Sequence, residues 1–129
     1  MIAQSCRPLL NVADIEASLG FWRDLLGFEV VTTYEAGGQP AFAQLRSGEV
    51  VLMLNARGGD PGPRRARPHY TEAVFYFGVP SVRDLVRDLR ARGFDAPEPE
   101  RQVYGLDEVT VRDPDGYEIA FTSPIPADA

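Results

Sequence analysis

The residues able to do chemistry are few. The 129-residue chain has one histidine, His69, and one cysteine, Cys6. Zinc-type sites draw on several imidazoles or thiolates, so one histidine and scattered carboxylates cannot form a His-rich site. His69 therefore reads as a surface or linker histidine rather than a metal ligand. No Ser-His-Asp or Cys-His constellation can be assembled from so small a set. Cys6, beside Arg7, reads as an inert thiol near the chain start. A lone cysteine excludes a disulfide within the chain and fits a reducing cytoplasm. Glu118, Glu72 and Tyr104 could serve general acid-base work without metal.

The bulk numbers narrow the classes further. The net charge of −6 argues against nucleic-acid binding, which needs a positive footprint. It is compatible with a cationic ligand, although acidity alone is ordinarily a matter of solubility. An apolar share of 44% and a charged share of 25% are those of a soluble globular protein. No apolar run approaches about 18 residues, so no membrane span is expected. No basic run leads into an apolar core at the start, so no secretory signal is read.

The elements that must position these residues are written twice. In the first copy the apolar run Pro8 to Val12 leads to Asp14, whose carboxylate can cap a helix. Ile15, Leu19, Trp22, Leu25 and Leu26 follow at roughly helical spacing, Gly27 stops the helix, and Phe28 resumes as strand. In the second copy Val74 to Val79 is a strand, and Ser81 with Asp84 approximates a capping box. Val82, Leu85, Val86 and Leu89 give one apolar face, and Gly93 stops the helix. The pairs Asp14 and Ser81, Gly27 and Gly93, and Gly48 and Gly116 stand 67, 66 and 68 residues apart. Each half reads as βαβββ, and neither could bury its sheet alone. The expected architecture is α+β: two tandem βαβββ modules forming an open, curved mixed sheet around a cleft. Residues 1–129 make a single domain, with module one at about 5–56, a linker at about 57–69 and module two at about 70–123. In the linker, Arg64, Arg65 and Arg67 could touch an anion, but a solvated loop is the plainer reading. The tail from Ser123 is expected to be loose.

Strand alternation then sorts the side chains. Leu10, Val12, Leu52, Leu54, Phe75, Phe77, Ile119 and Phe121 face the helices. Arg7, Leu9, Asn11, Val51, Met53, Asn55, Val74, Tyr76, Glu118 and Ala120 face the other way. That second face mixes apolar with placed polar groups, as a concave binding surface does. Tyr76, Tyr104, Trp22 and Phe42 are candidate aromatic surfaces, Trp22 being better suited to helix core. Glu118 could meet a cationic group. Arg7 could meet an anionic one or pair with Glu118.

Asn11-Val12-Ala13-Asp14-Ile15, with Ser18, Phe21-Trp22 and Leu26-Gly27-Phe28, resembles the opening signature of the vicinal oxygen chelate superfamily. Tyr104-Gly105 followed by Val111-Arg112-Asp113-Pro114-Asp115-Gly116-Tyr117 resembles its closing one. This superfamily takes in glyoxalase I, extradiol dioxygenases, fosfomycin resistance enzymes and bleomycin resistance proteins. Its enzymes hold a divalent metal through His, Glu or Gln at four positions, which fall here on Arg7, Met53, Val74 and Ala120. None of these is a suitable donor for a hard or borderline metal. The resemblance thus implies the metal-free bleomycin resistance type: no cofactor, a homodimer, and a drug or metabolite sequestered in a cleft between modules of two chains. The implied ligand-binding residues are Arg7, Leu9, Asn11, Phe42, Met53, Tyr76, Tyr104, Glu118 and Ala120, with no catalytic and no metal-binding residue. The alternatives are a glyoxalase- or dioxygenase-like enzyme with a variant site, or a partner-binding dimer without a small ligand.

Overall fold

A computed structural model of the chain describes residues 1–56, 58 and 68–127. The basic cluster at Arg64, Arg65 and Arg67 and most of the expected linker lie outside the described residues. The chain divides into two compact units, residues 1–63 and 64–129. Each contains one βαβββ module, and the class is α+β.

In the first unit, β1 (Leu9–Asn11) leads through α1 (Ile15–Leu19) to β2 (Glu29–Ala36), β3 (Gln39–Ser47) and β4 (Val50–Asn55). The sheet order is β1-β4-β3-β2, with β1 parallel to β4 and the other pairs antiparallel. Asp14 caps α1 as expected, its carboxylate accepting from the Glu16 amide at 2.9 Å. The single helix expected up to Gly27 is in fact two pieces. After Leu19 the chain widens into a π-helical segment, Gly20–Leu25, in which the Leu26 amide donates to the Phe21 carbonyl. The wider register accommodates adjacent Phe21 and Trp22 in the core together. Trp22 then packs edge-to-face against Phe21 and Phe28, with ring centroids 5.2 and 5.4 Å away. Gly27 takes φ +84°, where a side chain would be strained, and turns the chain into β2.

In the second unit, β5 (Val74–Gly78) leads through α2 (Val82–Ala91) to β6 (Glu100–Arg101), β7 (Leu106–Arg112) and β8 (Glu118–Pro124). The order β5-β8-β7-β6 repeats that of the first sheet, again with first and last strands parallel. Val82, Val86 and Leu89 bury the apolar face of α2, and Val109, Val111, Ile119 and Phe121 are buried apolar side chains on the matching face of its sheet. Ser81 caps α2 by accepting from the Asp84 amide at 3.1 Å. The tail expected to loosen at Ser123 does not. Strand β8 runs on to Pro124, and buried Ser123 accepts from the Val82 amide at 2.8 Å, tying the helix start to the sheet. Asp113 shapes the turn between β7 and β8, its Oδ1 accepting from the Asp115 and Tyr117 amides.

Removing the α2 cap should be costly on a local scale. Ser81→Ala is expected to lower stability by about 1 kcal/mol, read as a shift in urea midpoint at unchanged slope.

Candidate functional site

Each unit leaves one sheet face uncovered by its helix. In the first unit the register sets Leu9 beside Met53, Gln44 beside Met53, and both Asn11 and Phe42 beside Asn55. Asn55 Nδ2 donates to Asn11 Oδ1 at 3.1 Å. The Phe42 and Tyr34 rings lie 5.7 Å apart beside a shallow cavity of about 340 Å³ that Asn55 also lines. Leu9, Asn11, Phe42 and Met53 therefore share one surface. Arg7 is exposed and precedes β1, so the strand begins two residues later than the alternation assumed.

In the second unit, Val74, Glu118 and Arg112 form one row across β5, β8 and β7, and Tyr76, Ala120 and Thr110 form the next. Glu108 lies opposite Thr122 in the row beyond. Tyr104, in the turn before β7, joins this face by donating its hydroxyl to Glu108 Oε1 at 2.6 Å. That hydrogen bond, with desolvation and the nearby negative charge, pushes the Tyr104 hydroxyl up to about 12. Tyr104 is thus a fixed donor at neutral pH. The Tyr76 hydroxyl is also raised, first by burial and then by Glu108 and its ionisable neighbours.

Glu118 is only 7% exposed, because β8 is an interior strand with neighbours on both sides. Its Oε2 meets His69 Nδ1 at 2.7 Å, its Oε1 accepts from the Tyr70 amide at 2.8 Å, and Arg112 stands 3.8 Å from Oε1. Among the described residues its ion partners are thus His69 and Arg112, not Arg7. Burial alone would raise this carboxyl, but the His69 and Tyr70 hydrogen bonds and the charges of His69 and Arg112 outweigh it and hold it low. An ionised carboxylate only accepts, so the 2.7 Å contact requires a proton on His69 Nδ1. The imidazole is largely exposed, as a surface histidine should be, yet it is anchored. The same contacts pin Tyr70 at φ 63°, a left-handed conformation unusual for a side chain of its size. Glu72 lines a second cavity, of about 220 Å³, with Arg112 and Glu118.

Sequence reasoning placed Glu118, Tyr76, Tyr104 and Ala120 in one unit and Leu9, Asn11, Phe42 and Met53 in the other. It missed Glu108, Thr110 and Arg112. The signal was there: they alternate with Asp107, Val109 and Val111 along β7, at a period of two.

The sequence profile of the Glyoxalase/Bleomycin resistance protein/Dioxygenase superfamily matches residues 5–121, and the chain belongs to that superfamily. No curated protein matches it. Three solved structures show the same fold. Lactoylglutathione lyase from Agrobacterium tumefaciens is 20% identical, with 95% of this chain and 94% of that one covered and a TM-score of 0.70. TnmS3, an antibiotic binding protein from Streptomyces sp. CB03234, is 18% identical, with 97% and 100% covered and a TM-score of 0.69. The bleomycin-binding protein from bleomycin-producing Streptomyces verticillus, complexed with copper(II)-bleomycin, is 23% identical, with 97% and 99% covered and a TM-score of 0.66. At these identities the likeness is one of fold.

The resemblance puts the metal-ligand positions of the enzymes of this fold at Arg7, Met53, Val74 and Ala120, which offer a cation, a thioether and, at the last two, no donor at all. Among the described residues, no group of three or more His, Cys, Asp and Glu could hold a metal ion. No helix among them is long and apolar enough to cross a membrane.

The Glu118 network makes a pH prediction. A carboxyl held below its ordinary range stabilises the fold above that range, and the gain is lost as pH falls through its lowered value. Glu118→Gln should therefore be less stable than the parent at neutral pH, with the difference shrinking below pH ~4. Paired urea titrations at a series of pH values measure this, and a difference independent of pH would sink it.

Proposed function

We propose that this chain is a metal-free small-molecule binding protein of the bleomycin resistance type, holding a drug or metabolite unaltered in a cleft at a homodimer interface. The observation that carries the reading is the pair of uncovered sheet faces, on which aromatic and polar side chains lie among apolar ones and, among the described residues, no group of three or more His, Cys, Asp and Glu could hold a metal ion. A ligand surface of this kind is apolar with a few placed polar groups. The residues proposed to line it are Arg7, Leu9, Asn11, Phe42 and Met53 from module one, and Tyr76, Tyr104, Glu118 and Ala120 from module two. The two modules work as one domain, residues 1–129. Leu9, Val31, Tyr34, Tyr76 and Val103 stand exposed on the single chain, and large exposed apolar groups of this number favour a second copy or a ligand against them. The exposed thiol of Cys6 fits a cytoplasmic setting. No cofactor is invoked.

One observation favours a second reading, an enzyme with a variant site. Glu118 fixes the tautomer of His69, as a carboxylate does for a histidine acting as general base.

Metal analysis, drug titration and mass spectrometry separate the two. The purified protein should carry substoichiometric zinc, nickel, iron and manganese; one equivalent of any would overturn the metal-free reading. A panel of bleomycin-like and other polycyclic drugs should include a binder, weakened roughly 3- to 10-fold by Tyr76→Ala. The bound drug should be recovered at unchanged mass. A changed mass that depends on His69 would establish the enzyme instead.

A further inference from the structure

We propose that the open face of the second sheet carries a seat for an organic cation, formed by Glu108 and Glu100 with the rings of Tyr104, Tyr76 and Tyr70. This rests on the reading that the open face takes a small molecule, and it assigns that molecule its charge.

The two-residue pairing of β6 with β7 sets Arg101 opposite Asp107 on the helix-covered face and Glu100 opposite Glu108 on the open one. The covered pair is complementary: Arg101 Nε lies 3.4 Å from Asp107 Oδ1, and Arg83 Nε lies 3.2 Å from Oδ2. The open pair is like-charged, and like charges directly opposite across strands destabilise a sheet. Glu108 is also only 7% exposed. Among the described residues its hydrogen-bond donor is the Tyr104 hydroxyl, and no Lys, Arg or His comes within ion-pair distance. Glu118, equally buried on the same face, has both His69 and Arg112. Among the described residues, the face therefore holds two buried carboxylates, one with basic partners and one without.

What surrounds Glu108 fits a soft cation. It lines a cavity of about 330 Å³ together with Tyr70, Glu98, Glu100 and Thr110, and with His69, whose Nδ1 is engaged by Glu118. Tyr76 lies one row away across Ala120 and Thr110, and the row of Glu108 ends at Gly78, which has no side chain to fill the space. The Tyr104 hydroxyl meets the Glu108 carboxylate directly, and Tyr70 lines the same cavity as Glu108. Ring faces attract weakly hydrated cations such as quaternary ammonium groups. A hard metal ion would need about six or more oxygen ligands, and among the described residues no three of His, Cys, Asp and Glu are grouped so as to hold a metal ion.

The test uses the full chain, with choline as the cation and 3,3-dimethylbutan-1-ol as its neutral counterpart of nearly equal shape. Amide NMR shifts on adding choline should centre on Tyr70, Tyr76, Tyr104 and Glu108. The neutral alcohol should bind at least about 10-fold more weakly. Glu108→Gln should weaken choline about 10-fold, and Glu100→Gln and Tyr76→Leu about 3-fold each. Equal affinity for the alcohol would overturn the seat, as would displacement of choline by equimolar magnesium or calcium. If Glu108→Gln fails to fold, exposed Glu100→Gln decides, and unchanged affinity there overturns the proposal. The two readings fail separately. A drug that binds with indifference to choline and to Glu108→Gln sinks the cation seat and leaves sequestration standing. Choline binding as described, with no drug bound from the panel, upholds the seat and sinks sequestration.

Discussion

Each module depends on one pairing: its first strand lies parallel to its last, β1 with β4 and β5 with β8. Parallel neighbours cannot be joined by a tight turn, so the chain must cross over, and the crossover carries the helix. That helix covers one face of the sheet. The opposite face is left to the alternate side chains of the same strands, and everything that can bind a ligand follows from this division. The pairing also places β8 inside its sheet, where Glu118 and Ala120 are buried without any helix above them. A carboxylate in such a position must find hydrogen bonds and counter-charge, or it would be too costly to keep ionised. Glu118 finds them in His69, the Tyr70 amide and Arg112.

The parts of this fold that were legible in the sequence are those set by local chemistry. Asp14 and Ser81 cap helices because a short oxygen-bearing side chain at that position can do so whatever lies elsewhere. Gly27, Gly93 and Gly116 take positive φ, as their place at helix stops and turns requires. The face assignments of β8 followed from alternation alone. What stayed hidden rests on contacts between distant residues or on packing. His69 and Glu118 are 49 residues apart, and no periodicity links them. The π-helical segment reflects three rings fitting together, which helical spacing cannot foresee. Ser123 looked like the start of a tail because its role, receiving the Val82 amide, belongs to the opposite end of the module.

The site was half legible for the same reason. Glu118 and Tyr76 stand out as polar groups on otherwise apolar strands. Glu108 does not, because Asp107 precedes it and two adjacent acids look like a solvated turn. In the folded chain they are both buried and point to opposite faces. Asp107 lies under α2 between two arginines and serves the scaffold. Glu108 faces the open side and receives a phenol. A phenolic hydrogen bond satisfies one lone pair but cancels no charge, and the residue opposite, Glu100, adds another of the same sign. The other buried acids of β7 and β8, Asp107 and Glu118, are each matched by base. The exception falls on the face that the crossover helix leaves uncovered, where a ligand rather than a side chain can supply the missing charge.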